Sequence, residues 1–131
     1  VEYKLGASEI TEFTIGDRKF FKMKFAPCAK GKPEVGTHIL EELYSSPKIS
    51  LYKYYPSGGA LNDAKTEFAF KKAAEENPIS LYDTKFLLLK KGLANYFSDC
   101  ADLKAMCEEG AVEMEQESLL KTARIYAEVC Q

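Results

Sequence analysis

One histidine, four cysteines and three adjacent pairs of glutamates are the side chains most able to do chemistry in this sequence. A Cys–His nucleophile would need His38 held beside a cysteine of lowered pKa, because the thiolate is the attacking form. His38 opens a strand-like segment, whereas Cys100, Cys107 and Cys130 fall on apolar helical stripes, so the plainer reading is an exposed or capping imidazole. The pairs Glu41-Glu42, Glu75-Glu76 and Glu108-Glu109 are chain neighbours, which point apart on a helix or strand and read as solvated faces. Gly58-Gly59 follows Pro56-Ser57 but opens no helix with Lys-Ser/Thr, so no phosphate loop is indicated. Lys90-Lys91 sits within a helical pattern as an outward face. The sequence carries no catalytic signature and implies no cofactor, and the chain reads as non-enzymatic.

Cys28, Cys100, Cys107 and Cys130 are even in number, allow three full pairings and contain no C-x-x-C. Zinc sites are usually built from knuckle spacings absent here, so no metal is expected. Disulfides would imply an oxidising compartment, and four buried free thiols are the alternative. Binding has its own candidates. Tyr44, Tyr52, Tyr54 and Tyr55 place four of the eight tyrosines within twelve positions. Ser50, Tyr52 and Tyr54 share a face of a regular strand, and a surface of Tyr44, Tyr52 and Tyr54 could recognise a protein or a glycan. The plainer reading makes the same rings cross-strand pairs that cover the sheet.

Those side chains need a scaffold, and 131 residues with 46% hydrophobic and 29% charged content suffice for one domain with a real core. No apolar run approaches the roughly 18 residues of a membrane span. A net charge of -2 argues against nucleic acid, and one histidine without tryptophan excludes His-rich metal sites and Trp platforms for sugars. Charge divides along the chain. Residues 1–60 carry nine basic and seven acidic groups and read as β, whereas 61–131 carry nine and thirteen and turn helical. The expected fold is α+β, a single domain over 1–131, β-rich to 82 and helical over 83–131. Small antiparallel hairpins form the first part, and three C-terminal helices pack on them.

Ile10–Ile15 alternates, Gly16-Asp17 suits a two-residue turn, and Arg18–Phe25 returns with Phe21, Met23 and Phe25 on one face. Its other face sets Arg18, Lys22 and Lys24 as solvated stems around Phe20. Pro27–Pro33 is a loop. Thr37–Tyr44 suits helix or strand, and pairing with Ile49–Tyr55 across Ser45–Lys48 makes strand the more economical reading. Thr66–Phe70 alternates, and Ile79–Tyr82 reads as a short last strand. Asp83 can cap a first helix with the stripe Phe86, Leu89, Leu93, Tyr96 and Phe97. Ser98 can cap a second, ended by Gly110, and the third spans about Glu113–Val129. An apolar pocket between sheet and helices, fed by Phe68, Phe70, Phe86 and Leu93, supports an alternative role as carrier of a small apolar ligand.

The order of Phe13-Thr-Ile-Gly-Asp-Arg-Lys-Phe20, Glu41-Glu-Leu-Tyr44, Ile49-Ser-Leu-Tyr52, Tyr96-Phe-Ser-Asp-Cys100 and Tyr126 to Cys130 resembles a family of small secreted proteins of uncharacterised function from Bacteroidetes-type bacteria. That family carries a strand-rich body, a strand ending in Leu-Tyr, and helices with an Asp-Cys pair and a Tyr near a final Cys. Ala127 follows Tyr126 where relatives usually carry Asn, and the chain starts after the position of their upstream Gly-Asp-Thr strands. With Val1 in place of Met, this points to a processed or trimmed chain. The resemblance implies a periplasmic or extracellular protein and favours Cys100 pairing with Cys130, leaving Cys28 and Cys107 to join sheet and helices. The expected role is a secreted or envelope-associated domain that binds a protein or surface glycan. A sheet trimmed at its start could dimerise through an open edge.

Overall fold

The computed structural model describes residues 12–27, 35–55, 66–83, 86 and 88–130. Six strands form one antiparallel sheet in sequence order: β1 (Glu12–Ile15), β2 (Arg18–Phe25), β3 (Gly36–Ser45), β4 (Ile49–Tyr54), β5 (Glu67–Lys72) and β6 (Ile79–Ser80). Three helices follow, α1 (Leu89–Tyr96), α2 (Ala101–Glu108) and α3 (Gln116–Glu128), giving the expected α+β arrangement. Two of the described connections show how the local sequence closes a hairpin. Gly16 takes φ 61°, which matches a hairpin turn to the twist of β1 and β2. At the next described turn the Ser46 hydroxyl accepts the amides of Lys48 and Ile49 and donates to the Ile49 carbonyl, closing β3 onto β4 ahead of any packing.

The sheet is apolar on two faces. On one, Ile49, Leu51 and Phe70 meet Leu93, Phe97, Leu103, Leu119 and Ala123 from the helices. On the other, Phe25, Leu40, Tyr52, Tyr54 and Ala69 cluster, with Phe21 and Met23 packed against them. Thr37–Tyr44 is therefore strand, because Leu40 must align with Phe21 and Tyr54 to join this second cluster.

The helix caps differ from expectation. Asp83 does not cap α1, which begins six residues later with Leu88 as its N-cap; the Asp83 carbonyl instead accepts the Phe86 amide in a separate turn at 2.9 Å. Ser98 does not cap α2. Cys100 holds that position with extended backbone, and its sulfur is bonded to Cys130. Gly110 does end α2: its φ of 79° lets the Gly110 amide reach Cys107 O and the Ala111 amide reach Met106 O, each at 3.0 Å.

Neither α1 nor α3 has a basic residue in its last turn. The sheet supplies the missing cations. Lys72 Nζ donates to the carbonyl of Tyr96, the last residue of α1, and Lys48 Nζ donates to the carbonyl of Cys130 just beyond α3. Lys72 also lies 4.3 Å from the Tyr96 ring centroid, 5.4 Å from that of Tyr126 and 3.7 Å from Asp99. Positive charge at a helix C-terminus is favourable, so these contacts seat both helix ends on the β4–β5 end of the sheet.

The Cys100–Cys130 disulfide is present with a Cα–Cα distance of 5.4 Å. The second expected bridge is corrected: Cys107 is a free thiol packed at 1% exposure among core side chains, and Cys28 lies outside the described residues. Burial first, and then the charge of Glu108, push the Cys107 thiol up to about 11, so it is a core side chain and not a nucleophile. No helix among the described residues is long and apolar enough to cross a membrane.

Candidate binding surface

The structure separates the three tyrosines offered as a recognition face. Tyr52 and Tyr54 point away from the helices and are 6% and 8% exposed. Burial raises the pKa of both phenols. Tyr44 points the opposite way and packs against the helix-side core. The cause is a β-bulge between Glu42 and Tyr44, where the register passes from Glu42↔Tyr52 to Tyr44↔Leu51. One extra residue reverses the face of every side chain after it. The rings are therefore two sets of sheet-covering contacts, with Phe21 edge-on to Tyr52 and Phe25 and His38 against Tyr54.

A different surface emerges on the helix-side face. The helices cover its β4–β6 end, and no residue of β1 or β2 belongs to the core they form. Among the described residues the helix-free half is a ladder set by the register, Phe13 opposite Phe20, Phe20 opposite Glu41 and Glu41 opposite Lys53, with Phe20 and Glu41 buried within it. Alongside it lie Ile15, Arg18, Lys22, Lys24, Ile39 and Tyr55. Phe13 and Phe20 stack with centroids 5.2 Å apart. Arg18 grips Glu41 with two hydrogen bonds, Nε to Oε2 at 2.9 Å and Nη2 to Oε1 at 3.0 Å, and its guanidinium lies 5.1 Å from the Phe20 centroid. The Tyr55 hydroxyl donates to Glu41 Oε1 at 2.7 Å and accepts from Arg18 at 3.3 Å.

This cluster is ordered by charge. The hydrogen bonds from Arg18 outweigh burial and hold Glu41 below the usual carboxylate range. Burial and the bond to Glu41 push the Tyr55 phenol up to about 12. The carboxylate is thus fixed as an anion that orients Arg18 and Tyr55, an arrangement suited to shaping a surface and unsuited to exchanging protons near neutrality. Around this fixed centre, Ile15 is 59% and Ile39 46% exposed, unusual for isoleucine on a strand of ordinary alternation.

A cleft of about 330 Å³ continues the surface, lined by Lys22, Thr37, His38, Ile39, Tyr54 and Tyr55. Tyr54 thus reaches the site as a wall of this cleft, although Tyr44 and Tyr52 do not. His38 is held edge-on to Phe25 and Tyr54. A second cleft of about 330 Å³, lined by Phe25, Val35, Glu75, Pro78, Ser80 and Asp83 among others, lies at the β5–β6 margin. Both clefts are at margins of the sheet; the carrier reading placed its pocket between sheet and helices. Phe70, Phe86 and Leu93 are buried in the helix-side core, and Phe68 packs against it. Among the described residues no three His, Cys, Asp or Glu side chains converge as a metal site.

Sequence alternation already set Arg18, Phe20, Lys22 and Lys24 on one face. What it lacked was the knowledge that the helices stop short of that face, and that Phe13, Ile39, Glu41 and Tyr55 join it. Comparison with protein-family models, curated proteins and solved structures yields no match to this chain.

Proposed function

We propose that this chain is a non-enzymatic, disulfide-stabilised binding domain of an oxidising compartment, secreted or envelope-associated, whose recognition surface is the helix-free half of the sheet. The single observation that carries this reading is the exposure of Ile15 and Ile39 beside a pre-organised Arg18–Glu41–Tyr55 cluster. Exposed apolar side chains next to immobilised Arg and aromatic groups are the composition of interaction surfaces, where rigid groups lose little entropy on binding. The disulfide supports the compartment, since such bonds persist where thiols are not kept reduced.

The test screens a glycan array and a displayed peptide library in parallel with the wild-type chain and with an Ile15→Asp/Ile39→Asp variant. Both positions are exposed, so the variant is expected to fold with an unchanged circular dichroism spectrum. Ligands retained by wild type and lost by the variant support the reading. Ligands held equally by both contradict it.

A further inference from the structure

We propose that the helix-free half of the sheet takes an extended acidic polypeptide segment, one with Asp or Glu at every second position, laid along β2. The inference rests on the reading of that face as the recognition surface and adds the chemistry of its partner. Charge is the first argument. Among the described residues this half-face carries Arg18, Lys22, Lys24 and Lys53 against Glu41, in a chain whose net charge is -2. Glu41 is already engaged by Arg18 and Tyr55. Lys53 lies over the rings of Tyr55 and Phe68 at 5.2 and 5.6 Å. Lys22 and Lys24 are exposed and make no ion pair among the described residues. Among the described residues the face therefore presents a surplus of positive charge, which steers and selects an anionic partner.

Spacing is the second argument. Arg18, Phe20, Lys22 and Lys24 are alternate residues of one strand. A strand rises about 3.4 Å per residue, so these side chains repeat at about 6.8 Å. Alternate side chains of another extended polypeptide repeat at the same pitch, so carboxylates at i and i+2 meet Lys22 and Lys24 in register. Ile39, cross-strand from Lys22 and 46% exposed, offers an apolar contact beside the two lysines, while Phe20 at 9% exposure forms the floor of the face. A chain in which two acids alternate with two neutral residues has no pair of acids at i and i+2, so it cannot meet Lys22 and Lys24 together.

The experiment uses the full chain with its disulfide intact and three fluorescent probes: a twelve-residue peptide alternating Glu and Thr, a peptide of the same composition repeating Glu-Glu-Thr-Thr, and a heparin-derived hexasaccharide. Anisotropy titration is expected to show the alternating peptide binding roughly tenfold more tightly than the paired one. Lys22→Glu/Lys24→Glu is expected to weaken it by roughly tenfold or more with unchanged circular dichroism. Equal affinity for the two peptides, or binding by none of the probes, overturns the proposal. Tighter binding of the hexasaccharide, abolished by the same variant, also overturns it while leaving the face as the recognition surface. A probe whose amide-shift changes lie wholly on the helices or at the β5–β6 margin contradicts the surface itself.

Discussion

At the scale of single residues, burial and charge decide what each group can do. Tyr52 and Tyr54 are expected to be structural. Tyr52→Ala and Tyr54→Ala each remove a buried ring from the second cluster and are expected to cost about 3 to 5 kcal/mol in urea unfolding. A loss under about 0.5 kcal/mol would mark them as surface groups. Glu41 and Asp99 give a pH signature. The Arg18 bonds lower the Glu41 pKa, and for Asp99 burial is outweighed by the Tyr126 hydroxyl at 2.5 Å and by Lys72. For a carboxyl depressed in the native state, the stabilisation is full above its unfolded value and is lost as pH falls through the native one. The stability gap between wild type and Glu41→Gln is therefore expected to be widest near neutrality. It should narrow as the pH drops below about 4.5, the ordinary glutamate value. A gap that stays constant from pH 7 to 3 would contradict the assignment.

At the scale of elements, the two lysines that cross from sheet to helix ends are the test. Lys48→Ala and Lys72→Ala each remove a cation from a helix C-terminus and from an aromatic ring, and are expected to cost about 1 to 2 kcal/mol. Hydrogen exchange should quicken at the last turns of α3 and α1 respectively, while the β1–β3 amides keep their protection. Uniform quickening across the sheet would show that these lysines do not act at helix ends. Such contacts also explain which parts of the fold were legible. The period-two patterns of Arg18–Phe25 and Ile49–Tyr54 and the turns at Gly16 and Ser46 are local, so alternation and turn chemistry suffice to read them. The N-caps at Asp83 and Ser98 failed because a separate turn at Asp83–Phe86 delays α1 to Leu89 and because Cys100, tied to Cys130, takes the α2 cap position. The cations at the C-terminal ends of α1 and α3 were equally hidden, coming from residues 24 and 82 positions away. The bulge at Glu42/Tyr44 failed likewise, since nothing in Glu41-Glu42-Leu43-Tyr44 announces an extra residue until β4 is laid beside it. The binding surface was half legible. Its charged residues were visible in β2, and its openness depends on how far the helices extend.

At the scale of the whole molecule, one covalent link joins the start of α2 to the end of α3. Closing a loop of about 31 residues stabilises by roughly 3.7 kcal/mol in the chain-entropy model. Cys100→Ser/Cys130→Ser is expected to lower the unfolding free energy by a comparable amount, read from denaturant midpoints at matched m-values. Non-reducing peptide mapping of the wild type should show the 100–130 linkage and a Cys107 that alkylates only after unfolding. The helices pack over one end of the sheet, and the core they form takes no residue from β1 or β2. The central claim is that this helix-free half is where a partner sits, and amide-shift mapping of the first ligand recovered by the wild-type screen tests it most directly. The account predicts the largest changes at Phe13, Ile15, Arg18–Lys24 and Thr37–Glu41; changes concentrated on α1–α3, or around Glu75–Ser80, would contradict it.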